Sequence, residues 1–456
     1  MTNDTNISHQ DVVVALDIGT TKVCALAGRR DEHGKIEILG MGRVASEGVS
    51  RGVVSNIDKT VKAISEAVRQ AQRKVPFDIK VVYVGIAGQH IKSLQHRGIH
   101  VRENDLDEIR QVDIEKLVRD MHRLVLPPGD KILHVIPQEY TVDNEQGITD
   151  PIGMSGIRLE ANFHIITGQI AASKNINRCI ERVGLKVAEM TLEPIASAAA
   201  VLSDEEKDAG IALVDIGGGT TDITIFFEGI IRHTAVIPFG GNIISRDIKE
   251  GCHVTFQQAE KLKRKFGSAL ADKVFENRII TIPGLRGHEP KEISEKNLSL
   301  IIQARAEEIL DYVLWEIKKS GFERKLIGGL VLTGGGSLLK DMEKLAQFHL
   351  GMSARLGLPI EHLAHGYADE FLSPVYSTGI GLLIKGMESI ETNPEDYAEL
   401  LKSLADKEKE KANAEVDIEI AAHERVAVDS GNTAWYERLF RKTKAFFEEE
   451  EFDKEF

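Results

Sequence analysis

The 456-residue chain contains the same acid–glycine turn twice, and this duplication limits the folds that it can adopt. One apolar run ends in Asp17-Ile18-Gly19-Thr20-Thr21, and a second ends about 200 residues later in Asp215-Ile216-Gly217-Gly218-Gly219-Thr220-Thr221. Each run reads as a buried strand, and a second β-rich run follows each turn. Two copies so far apart predict two similar halves rather than a solenoid, whose repeats are roughly 20–50 residues long.

The rest of the folded body alternates strands with helices, which predicts the α/β class. Helices are expected over 58–73, 113–126, 171–183, 255–266, 298–319 and 338–350. A third glycine-rich turn, Gly334-Gly335-Gly336-Ser337, follows an apolar strand and is predicted to open the last of these helices. The folded body is expected to end near Gly386.

Composition excludes several classes of protein. The net charge of −14 disfavours general nucleic-acid binding, because an acidic surface repels phosphates. Three widely spaced cysteines read as reduced packing residues rather than a zinc site or a disulfide framework. The polar first ten residues do not look like a secretory signal, and no apolar run is long enough to predict a membrane span.

The C-terminal region differs from the body. Segment 391–433 holds 12 acidic against 5 basic side chains, so it is predicted to be a flexible acidic linker, part of which could form a solvated helix. The segment after it is predicted to form an amphipathic helix. Its apolar face would carry Trp435, Tyr436, Leu439, Phe440, Phe446 and Phe447, and its basic face Arg438, Arg441, Lys442 and Lys444.

Such a helix suits an anionic membrane surface, where apolar burial and basic side chains both contribute. Two alternatives remain, which are docking on the protein's own core and docking in a partner's groove. The acidic end, 448–456, would weaken attachment to anionic lipid unless it points away from the surface.

The paired turns have the chemistry of a phosphate site. Glycine lets the backbone approach a phosphate, and consecutive N–H groups form an anion-binding nest. A carboxylate at the strand end can hold Mg²⁺ through water. The predicted phosphate-binding residues are Gly19, Thr20, Thr21, Lys22, Gly217, Gly218, Gly219, Thr220 and Thr221, and the predicted Mg²⁺ residues are Asp17, Asp215 and Asp222. Two ordinary glycine hairpins are the alternative.

The three turns, in this order, resemble the actin/Hsp70/sugar-kinase superfamily. That resemblance implies ATP and Mg²⁺ between the two halves, with Gly334, Gly335, Gly336 and Ser337 packed against the adenosine. It also implies hinge helices at 193–199 and 378–381. By the same resemblance Glu260 bonds the ribose while Lys263 and Arg264 flank the base, although a solvated helix face is the plainer alternative.

Glu193 matches the acid that orients water in Hsp70-type members. The sequence offers neither a catalytic base for a sugar hydroxyl nor a Lys or Gln to serve the γ-phosphate. We therefore expect tight binding of Mg·ATP with slow or negligible hydrolysis, in at most a slow ATPase that acts primarily as a scaffold.

Two further segments, 135–140 (VIPQEY) and 150–160 (DPIGMSGIRLE), resemble the FtsA family of bacterial cell-division proteins. That family implies an actin-like fold of the duplicated ribonuclease H-like kind, with an inserted subdomain 1C in place of actin subdomain 1B. The implied division is 1A at 1–84, 1C at 85–164, 1A at 165–205, 2A at 206–242, 2B at 243–296, 2A at 297–372, 1A at 373–390, the linker at 391–433 and the terminal helix at 434–456.

The family resemblance implies a protein that polymerises at the cytoplasmic side of the inner membrane, at the division septum, and tethers FtsZ filaments there. The C-terminal tail of FtsZ would bind subdomain 2B, with Arg246, Lys249 and Arg286 as contacts suggested by charge. Later division proteins would bind subdomain 1C. The alternatives are an ATPase or small-molecule kinase of the same superfold, or an actin-like pilus-assembly protein.

Overall fold

A computed structural model describes residues 12–102, 108–284, 289–364, 366 and 369–404. The chain separates into two compact units, with the boundary between Thr392 and Asn393. The strands are β1 (Val13–Ile18), β2 (Lys22–Arg30), β3 (Ile36–Ala45), β4 (Val49–Ser50), β5 (Val53–Val54), β6 (Val81–Ile86), β7 (Lys92–Val101), β8 (Asp130–Val142), β9 (Glu145–Ile148), β10 (Arg158–Gln169), β11 (Lys186–Leu192), β12 (Ile211–Ile216), β13 (Thr221–Phe227), β14 (Ile230–Ile237), β15 (Ile279–Ile282), β16 (Lys291–Ser294), β17 (Gly329–Thr333) and β18 (Ala354–Leu356).

The six predicted helices are present with shifted ends, and further helices at 204–209 and 241–251 were not predicted from the sequence. The helices are α1 (Ile57–Gln72), α2 (Gln111–Met121), α3 (Ile170–Arg182), α4 (Glu193–Val201), α5 (Asp204–Ala209), α6 (Gly241–Gly251), α7 (Phe256–Phe266), α8 (Glu295–Ser320), α9 (Met342–Leu350) and α10 (Ser377–Thr392).

Two five-stranded sheets form the two halves. The first has the order β11-β6-β1-β2-β3 and the second the order β14-β13-β12-β17-β18. In each, an antiparallel meander begins at the central strand, and parallel strands continue on the other side. Both central strands are almost wholly buried, which explains their continuous apolar sequence. The duplication expected from the sequence is confirmed.

A third sheet, of order β7-β10-β8-β9, is inserted between β6 and β11 of the first half. Helix α2 covers one face of it, and Leu117, Leu159 and Phe163 are fully buried between them. Strand β6 ends at Ile86, just inside the range 85–164 expected for the insert, but it pairs with β1 and β11 and belongs to the first half. In the second half, β15 and β16 pack with α6, α7 and α8 around a separate small core.

The chain crosses between the two halves at α4 and again at α10. These helices lie in direct backbone contact, since a Cβ on Gly381 would stand 1.8 Å from the carbonyl oxygen of Ala196. The crossing point therefore holds the two halves together where both covalent connections pass.

Three helix ends differ from the sequence expectation. Helix α2 ends at Met121 rather than 126, ahead of Pro127, which disfavours helical backbone before it. The third glycine turn forms a short 3₁₀ turn, and α9 begins only at Met342 because Asp341 has left-handed backbone (φ 61°). Helix α8 starts earlier, where the Ser294 hydroxyl caps the backbone N–H of Asn297.

The folded body extends past Gly386, since α10 runs to Thr392. Residues 394–404, in the segment predicted as a linker, are helical. Within the part of the chain that the structure describes, no helix is both long enough and apolar enough to cross a bilayer. The predicted helix at 434–456 lies outside the described residues, as does Arg286.

Candidate functional site

A cavity of about 890 Å³ opens where the carboxyl ends of β1 and β12 face each other. That volume lies within the roughly 300–1,000 Å³ range of small-molecule sites. Most of the predicted site residues line it: Asp17, Gly19, Thr20, Thr21, Lys22, Glu193, Asp215, Gly217, Gly218, Gly219, Thr220, Asp222, Glu260, Lys263, Arg264, Gly334, Gly335 and Gly336.

The two turns touch each other across this cavity. A Cβ on Gly218 would lie 2.2 Å from Cγ2 of Thr21, and one on Gly219 would lie 2.5 Å from Oγ1 of Thr20. Both distances are shorter than real Cβ contacts allow. The glycines of the second turn therefore make room for the threonines of the first.

The first turn carries an internal ion pair. The Lys22 ammonium donates to the Asp17 carboxylate, and both side chains are largely buried. Burial alone lowers the pKa of Lys22, but attraction to Asp17 outweighs it and the pKa is raised. Asp17 is therefore neutralised within its own turn.

The second turn lacks such a cation. The Asp215 carboxylate accepts hydrogen bonds from the hydroxyls of Ser197 (2.8 Å) and Thr378 (3.5 Å), which lie on the two crossing helices. Burial and nearby Asp17 raise the pKa of Asp215. Burial and the charge of Asp215 raise the pKa of Asp222 to about 8.

These carboxyls fit a cation site. Oδ1 of Asp222 is buried without a hydrogen-bond partner, and a nearby positive charge would relieve the repulsion between the acids. Among the described residues no three His, Cys, Asp or Glu side chains are arranged to hold a metal ion directly. Asp17, Asp215 and Asp222 could hold a hydrated Mg²⁺ through its waters.

Glu193 opens helix α4 at the floor of the cavity. A Cβ on Gly85 would stand 2.8 Å from its Cγ, so this glycine makes space for the side chain. Burial, followed by the charges of Asp17, Asp222 and Asp215, raises the pKa of Glu193 well above its usual value. Both effects disfavour the ionised form of this carboxyl.

Helices α6 and α7 contribute another part of the cavity lining. Glu260 and Lys263 form an ion pair of 2.7 Å, and the Ser245 hydroxyl donates to Glu260. The Lys263 ammonium also donates to the carbonyl of Gly241 (2.7 Å), and burial lowers its pKa. Glu260 and Lys263 are thus ordered by tertiary contacts, unlike side chains on a solvated helix face.

Two predicted residues do not line the cavity. The Thr221 hydroxyl is buried and donates to the carbonyl of Phe239 (2.8 Å). The Ser337 hydroxyl is buried and donates to the carbonyl of Gly334 (2.7 Å). Ser337 thus bonds within its own turn, whereas Thr221 ties the start of β13 to the backbone that follows β14.

Several residues in or beside the cavity were not predicted from the sequence. Arg43 reaches the cavity from β3, with a 3.3 Å hydrogen bond to the hydroxyl of Tyr376. Arg278 and Lys340 add basic side chains from distant segments. Ser197 and Thr378 lie in the two segments expected to be hinges, where a small hydroxyl residue gave no sign that it would hold Asp215.

Two duplicated halves that close on a cleft through paired acid–glycine turns define an actin-like protein. The PilM–PilN type IV pilus biogenesis complex has a similar fold, with a TM-score of 0.59 at 14% sequence identity, covering 82% of this chain and 98% of that one. At that identity the likeness speaks for the fold alone.

Family comparisons identify the branch. Residues 212–381 match the family model described as cell division protein FtsA, and residues 88–167 match the SHS2 domain inserted in FtsA. FtsA of Pseudomonas aeruginosa is 41% identical over 384 residues, which cover 84% of this chain and 91% of the relative. FtsA of Neisseria meningitidis serogroup B is 42% identical over 376 residues, which cover 82% and 90%.

The chain belongs to the FtsA family of cell division proteins. The expected actin-like fold with the family's inserted domain is confirmed.

Proposed function

We propose that this protein binds ATP with Mg²⁺ in the cleft, polymerises, and tethers FtsZ filaments to the cytoplasmic face of the inner membrane. Membership of the FtsA family supports the role in division. The observation that carries the nucleotide proposal is the contact of the two acid–glycine turns across one cavity that also holds three recessed aspartates.

The residues of this cleft divide the work of holding Mg·ATP. Backbone N–H groups and hydroxyls of Gly19–Lys22 and Gly217–Thr220 would bind the phosphates, and Asp17, Asp215 and Asp222 would hold the hydrated ion. Bound Mg²⁺ would supply positive charge between the phosphates and these carboxylates. Glu260, Lys263 and Arg264 would contact the nucleoside, with the Gly334–Gly336 turn against its flat face.

Slow hydrolysis is expected because burial and the neighbouring carboxylates raise the pKa of Glu193, and a raised pKa disfavours the ionised form that would accept a proton from water. Lys22, the cation closest to the first turn, is already held by Asp17. ATP would then serve mainly to keep the halves closed and favour filaments.

Attachment to the membrane would come from the terminal helix at 434–456 and would be reversible for a single copy. Polymerisation would present many copies at once, which strengthens binding through avidity. Arg246 and Lys249 are exposed on α6, as a contact for an acidic FtsZ tail requires. Later division proteins would bind the inserted domain.

Two experiments test the proposal. Isothermal titration with Mg·ATP should show tight binding to the parent protein and at least tenfold weaker binding to Asp215→Ala. Equal affinity would exclude the assignment of the cleft. The substitution Glu181→Ala, at an exposed position of α3, provides a control away from the cavity.

The second experiment pellets anionic liposomes with the full chain and with a version ending at Asn432. The full chain should sediment, more so with Mg·ATP, while the shorter one stays in the supernatant. Equal sedimentation of both would refute the membrane anchor and leave the nucleotide site untouched.

A further inference from the structure

The inserted domain touches not only the half that carries it but also the edge strand of the other half. Strand β14 is an outer strand of the second sheet, so among the described residues one of its sides has no neighbouring strand. Side chains of the insert occupy that side. Ser93 donates to the carbonyl of Thr234 (3.1 Å), and Gln138 donates to the carbonyl of Ile231 (3.0 Å).

Side-chain contacts complete this junction. His164 on β10 lies 2.9 Å from the Thr234 hydroxyl. The buried Arg232 guanidinium donates to Glu139 of the insert (2.9 Å) and to Glu228 of its own half (2.8 Å). The carbonyls of an edge strand are thus satisfied by individual polar side chains rather than by a paired strand. Because these are individual side-chain bonds and not a continuous strand ladder, the junction can separate without breaking the backbone pairing of either sheet.

Strand β14 connects this junction to the cleft. Its Ile237 end pairs with Thr221, beside the second turn. From there Gly241 and Asn242 donate backbone hydrogen bonds to the carbonyls of Gly217 and Gly218. Arg232 lies five residues away along the same strand, roughly 16 Å at the usual rise. A rotation that opens the turns therefore displaces the junction at the other end of a stiff element.

The insert also holds the first crossing helix. Nε2 of His134, on β8, accepts a 3.0 Å hydrogen bond from the backbone N–H of Leu192. Leu192 immediately precedes Glu193 and helix α4. One domain thus contacts the strand that leads to the second turn and the start of the helix that joins the two halves.

We propose that the junction between the inserted domain and β14 is a latch coupled to nucleotide in the cleft. In the described conformation the turns are in contact and the latch is formed, so the two belong to one state. Nucleotide that holds the turns together would hold the latch formed, and by reciprocity a formed latch would strengthen nucleotide binding. This inference rests on the proposed nucleotide site and adds that the insert's position reports on its occupancy.

The direct test measures a distance across the latch. Spin labels at Val125→Cys in the insert and Ile327→Cys in the second half would be introduced in a Cys252→Ser background, because both positions are exposed and the other two cysteines are buried. Double electron–electron resonance on the full chain measures the distance between the two labels. With Mg·ATP the distance distribution should be narrower or shifted compared with the distribution without it. If the distance distributions with and without Mg·ATP are identical, although titration shows that the labelled protein binds ATP, the latch proposal is wrong.

The second test loosens the latch. The double substitution Ser93→Ala/Gln138→Ala removes two donors to β14 but leaves the cleft intact. It should weaken Mg·ATP binding about fivefold, the lower end of typical coupling, while Glu145→Gln on exposed β9 leaves it unchanged. Unchanged affinity of the folded double variant would refute the latch alone. Failure of the parent protein to bind Mg·ATP would refute the proposed site and the latch together.

Discussion

The two turns that face each other across the cleft have the same backbone and different chemistry. Each spans four residues between paired strands, and each closes with a 2.9 Å hydrogen bond, from Gly19 to Lys22 and from Gly217 to Thr220. The structural equivalents of Thr20 and Thr21 are thus Gly218 and Gly219, not the threonines that match them by letter. The two turns can be in contact because the second has glycines where the first has threonines.

Charge separates the two turns as well. The first balances Asp17 with Lys22, whereas the second leaves Asp215 and Asp222 with hydroxyl donors only. Asp222 stands opposite Asp215 in the ladder, where the first copy has Cys24 opposite Asp17. The charge of Asp17 in the first turn is balanced without ligand. In the second turn, a bound cation would stabilise the ionised forms of Asp215 and Asp222.

Removal of the cation from the first turn should have the largest effect. Lys22→Gln leaves the buried Asp17 unpaired, which should lower the free energy of unfolding by about 3 kcal/mol. Chemical denaturation measures this, with Lys22→Gln/Asp17→Asn as the matched variant that should recover part of the loss. A cost below about 1 kcal/mol for Lys22→Gln would mean that the pair contributes little.

In the second turn, removal of a charged group is expected to stabilise the protein instead of destabilising it. The folded protein raises the pKa of Asp222 to about 8, so folding holds a proton there that the unfolded chain releases near pH 4. Stability from this group is therefore present below about pH 4 and lost as pH rises through 8. In EDTA and without nucleotide, Asp222→Asn should be more stable than the parent by about 2 kcal/mol at pH 8.5, with a smaller gain at pH 5. A gain independent of pH would contradict this origin.

Steric complementarity between the turns predicts a rescue. Gly218→Ala puts a methyl group against Thr21 and should cost about 1–2 kcal/mol of stability, as overpacking does. Thr21→Ala removes the Cγ2 atom that this methyl meets, so the double variant should recover most of the loss. Strict additivity in thermal unfolding would show that the turns do not touch in solution.

The smallest expected effect is that of replacing Thr221, which occupies the same place in the repeated sequence as Thr21. Thr221→Val breaks only the hydrogen bond to Phe239, so it should cost about 1 kcal/mol of stability and leave Mg·ATP affinity unchanged. Thr21→Val, in the cavity lining, should weaken Mg·ATP binding instead. Titration and unfolding of both variants distinguish these roles, and a loss of affinity in Thr221→Val would return that residue to the site.

Much of the site was predictable because its signals are local. The strand-ending acids, the turn glycines and the third glycine turn are all visible as short patterns, and they do line one cavity. Arg43, Ser197 and Thr378 were missed because nothing in their own neighbourhood distinguishes them. The repeated Thr-Thr pair predicts Thr221 as a phosphate ligand, but the strand register places it at the position of Val23 rather than of Thr21.

Sequence alone determined the two-sheet α/β body, its duplication and the chemistry of the turns, since apolar runs and glycines act on the backbone within a few residues. Long-range packing sets three features that the sequence does not show: which threonine meets which glycine, the hydrogen bonds from both crossing helices to Asp215, and the cover of the insert over the edge of β14. Those outcomes depend on residues far apart in the chain, whose approach is set by the packing of whole sheets and helices.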